Sequence, residues 1–378
     1  MIDLKKFFLK EQQDTVFLLY VLLLLGMGLI MLYSASFPSA YYETGDAAYY
    51  FRHQLRYAIL GVAAMLIMSK FDYHYLRYFS VIIMVATFIL LGIVRIPGIG
   101  VVRNNARRWL MFGGLSFQPS ELAKLAIIID FSASIARKKE YMRTFRYGIF
   151  PYLLRLAPIC FLIYREPHLS GAILVAGIGA ALLFVGGIRW RWVVLGLGVV
   201  ALFITALLNG WIDYNQSRIV MWHDPFIDAS GAGYQLSQSI ITIGSGGLLG
   251  LGLGQGRQKF RFLPEEHNDF IFAIVCEELG LIGATLIMAV FAVMIIRGYQ
   301  IARAAKDRFG SLLAVGVTTH FAMQTFLNIA VVTGLFPTTG VSLPFFSFGG
   351  TALFGQLVEA GIVLSVSRMA EEKQEGEI

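Results

Sequence analysis

The sequence predicts an all-α integral membrane protein of about ten transmembrane helices, with a long extracytoplasmic loop between the seventh and eighth. Three observations carry that expectation. Of the 378 residues, 57% are hydrophobic and only 15% charged, a balance that soluble globular domains do not show. The apolar residues gather into stretches close to the roughly 20 that a helix needs to cross a bilayer. Between those stretches Lys and Arg favour one set of loops, which gives the chain a preferred orientation.

The ten stretches lie at 16–35, 54–69, 79–94, 121–136, 148–164, 171–187, 193–208, 270–296, 311–332 and 350–366. The chain reads as one polytopic membrane domain over 1–378. Within it, 1–15 is a cytoplasmic N-terminal segment, 209–269 the extracytoplasmic loop and 367–378 a cytoplasmic tail. Lys5, Lys6 and Lys10 precede the first stretch, and Arg137, Lys138, Lys139, Arg143 and Arg146 follow the fourth. With Arg297, Arg303, Lys306 and Arg308 after the eighth and Arg368 and Lys373 at the end, both termini are expected in the cytoplasm. No cleavable signal is expected, because the polar start runs into a span without a small-residue cleavage site. The net charge of +7 reflects this loop bias, and no nucleic-acid motif accompanies it. Cys160 and Cys276 both fall in spans, so neither a disulfide framework nor a thiolate metal site is implied.

Residues 37–53, rich in Tyr, fit an interfacial aromatic belt. The second external loop differs, because it places Arg103, Arg107 and Arg108 where the positive-inside tendency disfavours them. Guanidinium forks match phosphate oxygens, so an anionic substrate is one reading; pairing with headgroups or loop acids is the other. In SELAK, Glu121 and Lys124 stand three apart on one helix face. They form an internal ion pair bracing the fourth helix, or Lys124 contacts the substrate directly. Asp130, deeper in the same span, reads as a packing or pairing residue. His168, in YREPHLSG, lies in the titratable range for acid–base work, but a hydrogen bond to a neighbour is the simpler expectation.

The long loop holds an amphipathic stretch, 234–243, expected to form an interfacial or re-entrant helix. GSGGLLGLGLGQG follows and lacks the ending and flanking elements of a phosphate loop, so nucleotide binding is rejected. Its glycines instead permit tight turns and close backbone approach. Arg257, Lys259 and Arg261 make a second external basic cluster, which could share an anion with the first. The loop ends in LPEEHNDFIF, where Glu265, Glu266, His267 and Asp269 meet the edge of the eighth span. Asp269 either caps that helix or performs chemistry at the boundary of water and hydrocarbon. In the ninth span His320, Gln324 and Asn328 form a polar stripe suited to interhelical hydrogen bonds. The last external loop, broken by Pro337, Gly340, Pro344, Gly349 and Gly350, is expected to line a cavity.

Taken together, NNARRWL, FQPSELAKLA, LPEEHNDFIFA, EELGLIG and GLFPTTGVSLPFFSFGG resemble, in order, the motifs of the shape, elongation, division and sporulation family, that of RodA and FtsW. The resemblance covers nearly the whole chain, and GQGRQKFRFLPE leans towards the division and sporulation branch. It departs at Asn268, where threonine is usual, and at EPHLSG, where EPDLG is common. It implies a peptidoglycan glycosyltransferase in the bacterial cytoplasmic membrane that polymerises lipid II onto a nascent glycan strand and releases undecaprenyl pyrophosphate. It also implies Asp269 as the catalytic residue, with Trp109, Glu121 and Lys124 in the cavity, and a class B penicillin-binding transpeptidase as partner.

The residues fit that reading as substrate-binding groups: Arg103, Arg107, Arg108, Arg257 and Lys259 for the anion, with His267 beside the catalytic carboxylate. A divalent cation is the one cofactor left open, and no metal-ligand spacing identifies it. Membrane lipids are the remaining expected partners, and nucleic acid is not one. The rival reading is a lipid II transporter using the intramembrane Glu121, Lys124 and Asp130.

Overall fold

A computed structural model describes residues 13–103, 106–112, 115–211 and 216–370. Helices occupy all ten apolar stretches: α1 Thr15–Thr44, α2 Tyr49–Lys70, α3 Leu76–Ile93, α4 Pro119–Lys138, α6 Phe150–Tyr164, α7 Leu169–Val185, α8 Trp190–Leu208, α11 Ile271–Ala304, α12 Arg308–Val332 and α13 Gly350–Arg368. Three shorter helices complete the set: α5 Phe145–Gly148, α9 Gln216–His223 and α10 Tyr234–Gly246. Six of the helical segments are long and apolar enough to cross a membrane by length and composition. The amphipathic stretch of the long loop is therefore helical, as α10.

Burial sorts these helices into layers. The apolar window of α12 is 72% buried and that of α13 67%, whereas those of α3 and α11 are 28% buried. The last two helices thus form the centre, and α1, α3, α6 and α11 turn apolar faces outward, as lipid-facing helices must. α13 packs along α2, and α12 contacts α4, α7 and α11. The polar stripe on α12 is buried and faces its neighbours, which suits interhelical hydrogen bonds better than lipid contact.

Among the described residues, the all-α expectation misses a sheet in the loop between α3 and α4. Gly100–Arg103 (β1), Ala106–Phe112 (β2) and Leu115–Phe117 (β3) form a three-stranded antiparallel sheet in the order β1-β2-β3. Asn-Asn and Gly-Gly between short runs of β-branched and aromatic residues are hairpin signals, overshadowed in the sequence by the surrounding apolar spans. The register is irregular: Val101 pairs with Trp109 and Val102 with Arg107, so Arg108 is the extra residue of a bulge. A bulge re-aims side chains, which bears on the site below.

α11 is not continuous. Gly280 takes φ 67°, ψ −173° and breaks the helix. Backbone groups freed within a membrane helix must find partners inside the protein. The glycine-rich segment supplies them: Leu251 N donates to Glu277 O at 2.9 Å, Gly252 N to Glu278 O at 3.0 Å and Leu281 N to Gly247 O at 2.9 Å. A Cβ on Gly280 would sit 2.3 Å from Gly250 N, so this contact requires glycine. The kink turns the first two turns of α11 and the loop before it into one unit, and Asp269 stands at its start.

Candidate active site

Asp269 does not cap α11. The cap position is Phe270, and no side chain caps the helix there. What fixes Asp269 is its backbone: Asn328 Nδ2, from the polar stripe of α12, donates to Asp269 O at 2.7 Å and to Val341 O at 2.7 Å. One amide thereby ties the loop before α11 to the proline-rich loop after α12. The carboxylate lies against the backbone of that second loop, where a Cβ on Gly340 would come within 2.9 Å of Asp269 Oδ2. Among the described residues nothing donates a hydrogen bond to the carboxylate itself. Burial, helped by the nearby Glu265, pushes its pKa up to about 7, against the opposing pull of Arg108, His267 and Arg218. The group is therefore poised to exchange a proton near neutral pH.

Arg108 reaches this region because of the bulge. Its Nε donates to Glu166 O at 2.9 Å, and its terminal nitrogen bonds Pro167 O. Arg107 goes elsewhere, donating to Arg95 O at 3.2 Å. The two arginines that the sequence presents as a pair thus diverge. Trp109 stays in the strand, paired with Val101. Arg103 closes β1, and its side chain lies outside the described residues.

Beneath Arg108 lies the second polar layer. Lys124 Nζ is 2.8 Å from Glu121 Oε2 and donates to Gln324 Oε1 at 3.1 Å. His320 Nε2 lies 2.7 Å from the same Gln324 oxygen, and His320 Nδ1 2.6 Å from Glu359. The ion pair read from the SELAK spacing is present, and Lys124 is only 3% exposed. His168 lies between the layers, within the fields of Arg108, Glu121 and Lys124, and 3.5 Å from Ser120 Oγ. Burial first, then Arg108 and Lys124 against the opposing pull of Glu121, hold its pKa down to about 3. It is neutral at physiological pH and serves as a hydrogen-bonding neighbour rather than an acid. Asp130, deeper in α4, pairs with Arg155.

His267 is packed rather than free to move. Its ring stacks on Tyr50 with centroids 4.4 Å apart and meets Phe348 edge-on at 5.8 Å, while Nδ1 lies 3.4 Å from Glu266. Glu266 in turn accepts from the Ser39 hydroxyl of α1. These contacts brace the loop that carries Asp269. The second basic cluster is split. Arg257 is exposed, with its backbone N on Glu277 at 2.8 Å. Lys259 is wholly buried, 2.6 Å from Glu278 Oε1, 3.2 Å from Ser34 Oγ and 2.8 Å from Gly254 O. Neither is among the largest influences on the Asp269 carboxylate.

Sequence reasoning missed Arg218, Glu166 and the role of Asn328. Arg218, on α9, donates to Thr338 O at 3.0 Å and acts on Asp269. It carried the same signal as Arg107 and Arg108, an arginine on the side where the loop bias disfavours it. No group of three or more His, Cys, Asp or Glu side chains is placed to hold a metal ion among the described residues.

Fold and site define a multi-pass, mainly helical membrane protein with a carboxylate and arginines gathered at one end of the helix bundle. A family model described as "Cell cycle protein", covering FtsW, RodA and SpoVE, matches residues 14–372, and the chain belongs to that family. It is 41% identical over 357 residues to a probable peptidoglycan glycosyltransferase FtsW of Geobacter metallireducens, covering 94% of this chain and 95% of the relative. It is 42% identical over 360 residues to stage V sporulation protein E of Bacillus subtilis, covering 95% and 98%. Among solved structures, it superposes with TM-score 0.79 and 26% identity on a chain from a peptidoglycan synthase complex that coordinates polymerization and crosslinking, covering 94% and 98%. The crystal structure of RodA from Thermus thermophilus shares the fold, with TM-score 0.69 at 24% identity over 96% of this chain and 98% of that one.

Proposed function

We propose that the protein is a peptidoglycan glycosyltransferase that polymerises lipid II at the outer face of the bacterial cytoplasmic membrane, in division or sporulation. One observation carries the site assignment: Asp269 is held through its backbone, yet among the described residues its carboxylate has no donor, and burial pushes its pKa up to about 7 within the fields of Arg108 and Arg218. As general base it takes the proton of the acceptor hydroxyl while that oxygen bonds the anomeric carbon of the donor. The bond from the anomeric carbon to the pyrophosphate breaks, and its electron pair leaves with the phosphate. Arg108 and Arg218 are placed to offset that charge. Glu121 and Lys124 brace the floor beneath.

In this reading the chain is a single polytopic domain crossing the membrane ten times. Both termini are cytoplasmic, and the loop 209–269 is outside, where Asp269 meets the substrate. A class B penicillin-binding transpeptidase is its partner. Transport of lipid II fits less well, because the intramembrane polar groups form a file packed shut: Lys124 is 3% exposed, His320 1% and Glu359 2%.

The test is glycan chain formation from lipid II by purified protein with its transpeptidase partner. Asp269→Asn should lower the rate by about a hundred- to ten-thousand-fold, the usual worth of general-base assistance. The variant should insert and fold as the wild type does. A rate within a few-fold of wild type would remove Asp269 from the mechanism.

A further inference from the structure

Arg107 opens onto a cavity of its own. Its Nε is buried without a hydrogen-bond acceptor, and together with Arg95, Arg165, Val102, Glu166 and Pro167 it lines a space of about 290 Å³. Glu166 is 1% exposed, and neither carboxylate oxygen has a hydrogen-bond partner. Buried donors and acceptors left unmade are costly, which points to a ligand that satisfies both. The depth of the cavity narrows the choice. Arg95 stands two residues beyond the end of α3 and Arg165 one beyond α6, both apolar helices that pack together. Arginines at that position lie where lipid headgroups meet the hydrocarbon. Below them Ile89, Leu154 and Phe161 are 54%, 65% and 56% exposed, an apolar surface for a hydrocarbon chain.

We infer that this cavity binds the phosphate of a membrane lipid, held by Arg95, Arg107 and Arg165 with the protonated Glu166 carboxyl donating to one phosphate oxygen. Guanidinium groups suit phosphate oxygens, and a neutral carboxyl beside them adds a donor without adding repulsion. Burial pushes the Glu166 pKa up to about 8, against the pull of Arg108 and Arg95. The charged groups facing it are Arg95 after α3, Arg107 and Arg108 on β2 and its neighbour Arg165. His168 stays neutral in this range. Glu166 is thus the group that changes charge, and phosphate affinity falls as pH rises through about 8.

The test is lipid retention by the purified full chain, measured by native mass spectrometry with a polyprenyl pyrophosphate, phosphatidylglycerol or phosphate-free diacylglycerol. At pH 7 the double variant Arg95→Gln, Arg165→Gln should bind the phosphate-bearing lipids roughly tenfold more weakly or worse, with diacylglycerol unchanged. Both arginines are exposed, so the fold should survive. A loss confined to the polyprenyl pyrophosphate identifies the substrate-type lipid, and an equal loss for both identifies a general headgroup site. Glu166→Gln should bind as wild type at pH 7 and keep its affinity at pH 9, where wild type weakens. Unchanged affinity in the arginine variant overturns the inference. So does a Glu166→Gln variant as weak at pH 7 as the arginine variant, because the anionic carboxylate would then be the needed group. Binding is read without turnover, so this inference fails or stands independently of Asp269.

Discussion

Two carboxylates on either side of the first turns of α11 meet opposite treatment. Glu278 is fully buried and accepts from Ser34 Oγ at 2.7 and 2.8 Å, from Gly254 N at 2.9 Å and from Lys259 Nζ at 2.6 Å. Asp269 receives no hydrogen bond on its carboxylate among the described residues, while its backbone carbonyl is clamped by Asn328. A buried charge whose two oxygens share three donors, from Ser34, Gly254 and Lys259, is a fastening. Its oxygens are taken up by partners within the protein, which leaves little to offer a substrate. A carboxylate held in place through its main chain but lacking donors keeps both oxygens for a reacting group. The same helix start thus separates the residue that holds the kinked segment together from the residue that is proposed to react.

The largest effect expected from this contrast is on rate. Asp269→Asn removes the proposed proton acceptor, and its loss of about a hundred- to ten-thousand-fold should come with thermal unfolding at pH 6 that is no lower than wild type. At Glu278 the pattern should invert. Glu278→Gln strands Lys259 in a buried site, and breaking such a pair costs about 3–5 kcal/mol. The measurement is thermal unfolding in detergent alongside polymerisation per folded molecule. If Glu278→Gln is as stable as wild type but inactive, the division between fastening and reacting carboxylate fails.

Next in size is the pH dependence. With a pKa of about 7, Asp269 is mostly protonated below neutrality, so the rate should fall roughly tenfold per pH unit below that point and level off above it. Stability should run the other way. The folded pKa is raised above the ordinary 3.8, so the fold favours the protonated form. This contribution is full below the ordinary value and is lost as pH rises through about 7. Asp269→Asn, which mimics the neutral carboxyl, should therefore gain stability over wild type at pH 8 and lose that advantage near pH 4. An advantage that does not vary with pH would mean that the Asp269 pKa is not raised in the folded protein.

How much of this could be read from the chain depended on distance along it. The helices at the apolar stretches follow from local periodicity, and so does the Glu121–Lys124 pair, three residues apart on one face. The presence of α10 followed from an amphipathic pattern within ten residues. Lys259 read as an external cation because nothing nearby showed that the kink at Gly280 folds Glu278 back onto it. The divergence of Arg107 and Arg108 depends on a bulge, which is a matter of strand register rather than composition. The cap reading of Asp269 failed for a similar reason: the helix begins one residue later than the acid-before-apolar pattern suggests, and the tether comes from Asn328, 59 residues away. Long-range polar contacts of this kind leave only an unassigned polar residue in the sequence, which is how the α12 stripe first appeared.

The smallest expected effect tests that tether. Asn328 is 1% exposed, and its amide nitrogen donates at 2.7 Å to both Asp269 O and Val341 O, while its Oδ1 is buried with no partner. Only the donor end of the amide is in use. Asn328→Ala leaves two carbonyls without a donor, each worth about 1–3 kcal/mol if they stay buried and unmade. Part of that loss should appear as displacement of Asp269, because the two loops are no longer joined. The expected result is a fall in kcat of roughly tenfold, with KM for lipid II little changed, since geometry at the reacting carboxylate suffers more than substrate contact. Asn328→Asp separates tethering from packing. It keeps the shape and volume of asparagine but sets a carboxylate against two carbonyl oxygens. A packing role predicts that Asp is milder than Ala, whereas the tether predicts that it is at least as harmful. The mid-point of the pH profile should also move in Asn328→Ala, because a displaced Asp269 is less buried and titrates closer to an ordinary carboxylate. A variant with lower stability but unchanged kcat and pH mid-point would make Asn328 a packing residue and leave the placement of Asp269 to the bracing of its own loop by Ser39, Tyr50 and Phe348.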